Sequence, residues 1–245
     1  MQRIVPDGHA ELILHFGDPY AEVDAYGNTV IQAHALFAGQ LTRPLLLRAG
    51  QHAGVIGIRF RPAAARAFLG VPMQELTDRR VALTALWGES ALRLVQALKA
   101  TRDSTARTNV VAAVLTDRLA TTLTPTDTGI ARCAEILLAR DIPTSLGDLA
   151  ADCNLSRRQF ERRFLTEVGV SPRLLAGIAR FRSLFDALEQ DTLRIQHWAD
   201  AAHATGYYDQ AHMNRDFKRF AGLPPQAFCQ SLGGLSAAMV GAAAQ

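Results

Sequence analysis

The sequence predicts an α+β protein: a β-rich N-terminal domain, a helical connector, and an all-α C-terminal domain with two helix-turn-helix motifs. Three observations support this fold class. Apolar residues alternate along parts of the N-terminal third, a polar segment with Pro and Gly interrupts the chain at 121–129, and one residue pattern occurs twice in the C-terminal half. We therefore place the three domains at residues 1–88, 89–124 and 130–231.

The strands of the first domain are predicted by apolar residues at every second position. Ala10–Phe16 presents four apolar side chains on one face, and turn-forming residues precede and follow it. Gly54–Phe60 has the same character, and shorter strands are expected within Thr29–Phe37 and Leu45–Leu47. These segments predict a β-rich domain, which we assign to sensing or dimerisation.

Helical periodicity begins after these strands. Short helices are predicted at Ala63–Leu69 and Leu83–Trp87, and longer ones at Glu89–Lys99 and Thr108–Thr121. Because the two longer helices carry apolar stripes, we regard them as the candidate interface of a homodimer.

Composition excludes several classes of protein. Of the 245 residues, 49% are hydrophobic and 20% are charged, which is typical of globular proteins in solution. No apolar run is long enough to span a bilayer, and the first residues lack a secretory signal. Cys133, Cys153 and Cys229 have neither the spacing of a zinc site nor that of a disulfide framework, so we expect a reduced, cytoplasmic protein.

The C-terminal half contains an internal repeat. When Phe160–Pro172 is shifted by 53 residues it aligns with Met213–Pro225, and the matched positions include an arginine, a phenylalanine, a glycine and a proline. Two copies are too few for a solenoid, so each copy is expected to be a supersecondary motif in its own right.

Each copy is predicted to be a helix, a tight turn and a second helix, which we call the recognition helix. Ser156 and Gln159 form a capping-box pattern at the start of the first recognition helix, and Gly169 supplies its left-handed end. Asp209 is the corresponding N-cap of the second. Apolar residues four apart face inward in both helices, which leaves polar side chains on the opposite side.

Total charge gives no support for a nucleic-acid partner, whereas local charge does. The net charge is +3, and residues 1–129 hold 13 basic and 11 acidic residues against 13 and 12 in residues 130–245. The helix at 156–168 nevertheless carries four arginines against two glutamates. Such a helix fits the major groove of B-DNA, where Arg binds guanine and Gln or Asn binds adenine, while other arginines contact phosphates.

Residues 130–231 resemble the DNA-binding domain of the AraC/XylS family of bacterial transcription regulators. The positions that carry the resemblance are Trp198–Pro225, Leu149, Ala150, Phe164, Gly169, Ser171 and Pro172. The resemblance implies two recognition helices that enter successive major grooves on one face of the duplex. Tyr207 and Met213 stand where the family usually has Phe, and Ala211 replaces a common Ser. The Phe replacements are changes of packing.

The resemblance also implies which side chains contact DNA. By position, the base-contacting residues are Arg158, Glu161 and Arg162 in the first recognition helix and Gln210, His212, Asn214 and Arg215 in the second. Glu161 would accept a hydrogen bond from cytosine or brace Arg158. With neighbouring residues included, the predicted set is Ser156, Arg157, Arg158, Glu161, Arg162, Arg163, Gln210, His212, Asn214, Arg215, Lys218 and Arg219.

The N-terminal half resembles an uncharacterised β-rich domain found ahead of such DNA-binding domains. The matching segments are Pro6–Leu12, Gly57–Pro62 and Phe68–Pro72. This resemblance names no ligand, although we expect a small-molecule effector or dimerisation to act through the domain. Its four histidines (His9, His15, His34 and His52) lack the spacing of metal ligands, so no metal or other cofactor is expected.

Two alternatives of another class remain: a bifunctional DNA-repair protein with a reactive cysteine, and a small-molecule enzyme fused to this domain. Cys153 lies on the buried stripe of the first motif and has no histidine nearby in the sequence, which favours an inert thiol. No catalytic motif is evident. We therefore predict a non-enzymatic regulator that binds double-stranded DNA and, if it activates transcription, RNA polymerase.

Overall fold

The computed structural model describes residues 1–121, 125–139, 145–189 and 198–229. The middle of the predicted polar break, at 122–124, lies outside these residues, as do the last two residues of the predicted third domain and the Ala/Gly-rich tail.

The N-terminal strands form two four-stranded antiparallel sheets. The first sheet has the order β1-β6-β3-β4 and the second the order β7-β2-β5-β8. The bounds are β1 Gln2–Ile4, β2 Glu11–His15, β3 Ala21–Val23, β4 Thr29–Ile31, β5 Ala35–Ala38, β6 Leu45–Arg48, β7 Val55–Arg59 and β8 Arg80–Ala82.

The predicted β-rich domain is confirmed, and so are its two main strands, β2 and β7. They pair directly, with Leu12 opposite Ile58 and Glu11 opposite Arg59. The short strands β1, β3 and β8 were not predicted, because three residues are too few to show a period of two.

The helices follow the sheets in chain order. Their bounds are α1 Ala65–Leu69, α2 Leu83–Trp87, α3 Glu89–Ala100, α4 Ser104–Thr121, α5 Thr128–Ala139, α6 Leu146–Asp152, α7 Arg157–Val168, α8 Pro172–Glu189, α9 Trp198–Ala204 and α10 Gln210–Ala221. A short 3-10 turn, Met73–Glu75, separates α1 from β8. In the described part of the chain, no helix is long and apolar enough to cross a membrane.

Helices α3 and α4 pack on the second sheet. Leu94, Leu98 and Val111 belong to the same buried core as Leu12 and Phe37. The apolar stripes of these helices therefore cover the β-rich domain, and burial of this surface provides the main stabilisation of the N-terminal half. The larger apolar side chains that α3 and α4 leave exposed are Leu92 and Leu119.

Each helix-turn-helix motif has its own core, and α8 joins the two. We call α6–α7 the first unit and α9–α10 the second unit. Phe160 and Phe164 are fully buried in the first, with ring centroids 5.6 Å apart. Met213 and Phe217 occupy the matching positions of the second and are also fully buried. Because α8 contributes Leu175 to the first core and residues further along to the second, it fixes the separation of the two units.

The β-rich domain contacts both units at the end of the recognition helix. The Thr77 hydroxyl donates to the carbonyl oxygen of Gly169 at 2.6 Å. An Arg3 guanidinium N–H donates to the carbonyl oxygen of Ala221 at 2.6 Å. The β-rich domain also contributes one apolar residue to the core of each unit. Ala63 lies in the core of the first unit and Val5 in the core of the second.

We predict that Gly169→Ala lowers the free energy of unfolding by about 1–2 kcal/mol, the cost of a left-handed conformation for a residue with a Cβ. Gly169 has φ = 95°, and an added Cβ would lie 3.1 Å from the carbonyl oxygen of Met73. Urea unfolding measures the effect, and the dependence of the free energy of unfolding on urea concentration (the m value) should be unchanged. Gly147→Ala, in the first turn of α6, is the matched control and should be neutral or stabilising. Equal losses in both variants would contradict the prediction.

Candidate nucleic-acid interface

The first recognition helix, α7, is capped at both ends as the sequence predicts. The Ser156 hydroxyl accepts a hydrogen bond from the Gln159 backbone N–H, and the Gln159 side chain accepts one from the Ser156 backbone N–H at 3.0 Å. This capping box fixes where the helix begins. Gly169 ends it in the left-handed conformation.

The outer face of α7 is an exposed polar surface. Arg157, Arg158, Glu161 and Arg162 are all exposed. Glu161 pairs with Arg157, at 3.3 Å between Oε1 and Nε, and not with Arg158 as one sequence-based interpretation had it. The reason is geometric, because residues four apart face each other along a helix and residues three apart do so less directly here. Arg163 lies to one side, with its Nη1 3.7 Å from Asp127 Oδ2.

The second recognition helix, α10, begins at a shorter cap. The Asp209 carboxylate accepts a hydrogen bond from the His212 backbone N–H at 2.6 Å, and Gly222 ends the helix with φ = 76°. At about 100° per residue, the side chains of Gln210, Asn214, Arg215 and Lys218 lie on one face of the helix. His212, Asp216 and Arg219 lie on a second face, towards α8.

His212 therefore differs from the other predicted base-contacting residues in its surroundings. Its Nε2 lies 3.6 Å from Asp216 Oδ2, and its ring stands edge-on to that of Tyr207 with centroids 5.3 Å apart. These neighbours hold the ring beside α8, and its assignment as a base reader stays a prediction.

Arginines of α8 line a concave surface, which we call the groove, that borders the start of α7 and one side of α10. One part, of about 610 Å³, is lined by Arg173, Arg180, His212 and Arg219. An adjoining part, of about 490 Å³, is lined by Arg157 and again by Arg173 and Arg180. Positive side chains thus connect the start of α7 with α10.

Arg173 and Arg180 are not among the residues predicted from the sequence, because the apolar side of α8 alone indicates a connecting helix. The available signal was their spacing of seven residues, two helical turns, which places both on one face of α8 on either side of Gly177. Gly177 is buried, and a Cβ there would lie 3.7 Å from both the Arg180 guanidinium and the Asp216 carboxylate.

One partly buried carboxyl group, Asp216, and one buried carboxyl group, Glu167, lie beside these surfaces. Burial raises the pKa of Asp216 above its ordinary value, against the opposing effect of His212 and Arg180. Burial likewise raises the pKa of Glu167, against the effect of its ion pair with Arg66. Both carboxyl groups thus occupy sites that are unfavourable for a negative charge.

A separate cavity of about 330 Å³ lies between the two sheets of the β-rich domain. Its walls are mainly apolar and come from both sheets, with Ile4 and Leu47 on one side and Ile13 and Leu36 on the other. Arg59 lies at its edge, with its Nη2 2.7 Å from Asp7 Oδ2 and 2.9 Å from Glu11 Oε1. The charge of Arg59 is therefore already balanced within the protein.

The histidines of this domain have separate partners. The His15 ring contacts the Gln32 amide at 3.2 Å, and the His34 ring contacts the Lys99 ammonium at 3.0 Å. Within the described residues, no group of three or more His, Cys, Asp or Glu side chains is placed to hold a metal ion.

Two known domain families match the chain. Residues 1–82 match a domain of unknown function, DUF6597, and residues 149–231 match a helix-turn-helix domain. No curated protein matches the chain.

The chain also aligns with solved structures of bacterial proteins. It aligns with ToxT from Vibrio cholerae at 12% identity and a TM-score of 0.48, over 95% of this chain and 94% of that one. ToxT with a bound unsaturated fatty acid aligns at 12% identity and a TM-score of 0.47, over 93% and 88%. The transcriptional regulator CdpR from Pseudomonas aeruginosa aligns at 20% identity and a TM-score of 0.36, over 64% and 44%.

We predict that Asp216 makes stability depend on pH with a definite sign. Because its pKa is raised in the folded protein, its contribution to the free energy of unfolding is full at low pH and is lost as the pH rises through that pKa. Compared with Asp216→Asn, the unaltered chain should therefore lose stability as the pH rises above the ordinary pKa of an aspartic acid.

Urea unfolding at several pH values measures this difference. Asp117→Asn, which removes an exposed carboxyl group on α4, is the control and should leave the pH profile unchanged. A stability difference that grows in favour of the unaltered chain as pH rises would contradict the assignment.

Proposed function

We propose that the chain is a DNA-binding regulator of transcription of the AraC type, in which α7 and α10 contact two successive major grooves; its residues 149–231 match a helix-turn-helix domain. The observation that supports this most directly is the distribution of ion pairs. Among the described residues, Arg158, Arg162, Arg215 and Lys218 form no ion pair with a carboxylate, although the domain is almost neutral overall. These exposed cations on the two helices are available for DNA.

Individual roles follow from side-chain chemistry. Arg158 and Arg162 can each bind guanine with two hydrogen bonds, and Gln210 or Asn214 can bind adenine in the same way. Arg215 extends the base-contacting face of α10.

Residues beside these faces suit the DNA backbone. Arg163, Lys218 and Arg219 would contact phosphates, whereas Ser156, whose hydroxyl and backbone N–H both bond to Gln159, would act by fixing the start of α7. Glu161 holds Arg157 in place and so acts on the interface through it.

The groove suits the DNA backbone that separates the two major grooves. Arg173 is exposed and Arg180 is partly buried, where it lies 3.9 Å from Asp216 Oδ2. Phosphates of this stretch of the DNA backbone would contact several guanidinium groups, and no base would be contacted. We therefore assign Arg173 and Arg180 to affinity and not to sequence preference.

We predict that Arg162→Ala and Arg215→Ala each weaken binding to the cognate promoter by about 1–3 kcal/mol and relax preference at one base pair. Gel-shift titration against promoter sequences with single base changes measures both effects. Arg93→Ala, an exposed arginine on α3, is the matched control for loss of charge.

Arg173→Ala gives a contrasting result in the same experiment. It should weaken binding to all DNA sequences alike. It should also reduce by about one the slope of the logarithm of the binding constant against the logarithm of salt concentration. The site assignment fails if neither recognition-helix variant differs from Arg93→Ala, and the function fails if the unaltered chain shows no preference for any sequence.

The cavity between the sheets is our candidate site for a small-molecule effector. Apolar side chains from both sheets offer a binding surface, and the polar residues that also line the cavity can orient a ligand. Because Arg59 is already paired with two carboxylates, we propose a mainly apolar ligand with a hydrogen-bonding end, not a strong anion.

We predict that Gly57→Leu abolishes ligand binding in this cavity while leaving DNA binding of the free protein intact. Gly57 lines the cavity, and a Cβ there would meet only Ile13, at 3.8 Å. The added side chain should therefore fill the space without strain. Binding of an apolar naphthalene dye, followed by fluorescence, should be lost in the variant. Equal dye binding by the variant and the unaltered protein would exclude the cavity as the ligand-binding site.

Other features of the function follow from this assignment. We propose a cytoplasmic location, contact with RNA polymerase if the regulator activates, and a homodimer, although not through the apolar stripes of α3 and α4, because these are buried against the β-rich domain. We propose no catalytic role, since within the described residues the neighbour of Cys153 is a second thiol and not a histidine base.

A further inference from the structure

Two cysteines that are 20 residues apart in the chain meet in the first unit. Cys133 lies on α5 and Cys153 immediately follows α6, and their sulfur atoms are 3.5 Å apart. Cys133 is 3% exposed, whereas Cys153 is only partly buried. The pair therefore has one sulfur that solvent can reach and one directly behind it.

We propose that Cys133 and Cys153 form a reversible disulfide when a peroxide oxidises Cys153, and that this bond weakens DNA binding by the first unit. The chemical half of this proposal is independent of DNA, and the regulatory half rests on the proposed function. The oxidant is a hydroperoxide, the chemical class to which hydrogen peroxide belongs.

The reaction proceeds in two balanced steps. In the first, the Cys153 thiolate attacks one peroxide oxygen, an S–O bond forms, the O–O bond breaks and hydroxide leaves, which yields a sulfenic acid. In the second, the Cys133 sulfur attacks the sulfenic sulfur, the S–S bond forms, and the S–O bond breaks as water leaves with the Cys133 proton. Two thiols lose two electrons, and hydrogen peroxide is reduced to two waters.

The surroundings assign the two roles. Burial, together with the hydrogen bond to Cys153, raises the pKa of Cys133 to about 12, so this thiol keeps its proton and does not react first. Because solvent reaches Cys153, it is the residue that meets the oxidant. Cys133 then resolves the sulfenic acid from within the core.

The bond would act on the recognition helix through a short turn. A disulfide requires a sulfur separation of about 2.0 Å, so the two sulfurs must approach each other by roughly 1.5 Å. The side of α5 is fixed by Ile130 and Ala134 in the core, whereas the turn after α6 is exposed at Asn154. The turn therefore moves, and it leads within three residues to Ser156, the N-cap of α7.

A displacement there reaches the residues that contact DNA. Arg157 and Arg158 are the first residues of α7, and a bidentate arginine contact depends on its geometry. We expect oxidation to lower specific affinity by about tenfold, the loss of one such contact. Contacts of the second unit should be retained.

The test uses the full chain and a Cys229→Ser variant, which removes the third thiol but leaves the pair. Both are treated with hydrogen peroxide, digested without reduction and mapped by mass spectrometry. We expect one intramolecular Cys133–Cys153 cross-link, loss of two free thiols in the Cys229→Ser variant, and full recovery with dithiothreitol. Gel-shift affinity of the same samples should fall and recover in parallel, and Cys133→Ser should show no reversible fall.

Each contrary result overturns one half of the proposal. Cys153 oxidised to sulfinic acid, or cross-linked only between chains, overturns the chemistry, and the unaltered protein alone decides this even if a variant fails to fold. A quantitative cross-link with unchanged affinity overturns the regulation. Absence of specific DNA binding in the reduced protein is instead a failure of the proposed function, and the thiol mapping still stands.

Discussion

The arrangement of the whole molecule depends on two hydrogen bonds at the ends of the recognition helices. A helix leaves its last carbonyl groups without partners within the helix, and such groups must find donors elsewhere. Here the donors come from the β-rich domain, Thr77 for α7 and Arg3 for α10. In the proposed function the two helices must match the spacing of major grooves, and the domain that holds both ends would then also constrain how they meet DNA.

The strand that holds the second unit also lines the cavity between the sheets. Gln2 and Ile4 of β1 line the cavity, while Arg3, between them, reaches the end of α10. Val5, which follows, belongs to the core of the second unit. A ligand that shifts β1 therefore shifts a donor and a core residue of the DNA-binding domain with it, without any long chain of intermediates.

Much of the DNA-binding domain could be predicted from sequence because its determinants are local. The capping box of Ser156, the inward Phe160 and Phe164, and the glycine at 169 all act within one helix. Contacts between distant segments leave no such pattern, and for that reason the Cys133–Cys153 contact and the role of Arg3 were missed. The stripes of α3 and α4 show the same limit, since periodicity identifies an apolar face but not the surface that covers it.

The near neutrality of the DNA-binding half follows from where its acidic residues lie. Glu161 holds Arg157, Asp127 lies beside Arg163, and Asp216 lies between His212 and Arg180. These carboxylates keep some arginines in place and lower the total charge, but they leave the outer line of each recognition helix positive. Phosphate contacts of the kind proposed add affinity for DNA of any sequence, since that part of binding is almost wholly electrostatic. Selectivity then depends on base contacts, of which α7 offers mainly arginines and α10 a mixture of amides and cations, so the two half-sites should differ in sequence.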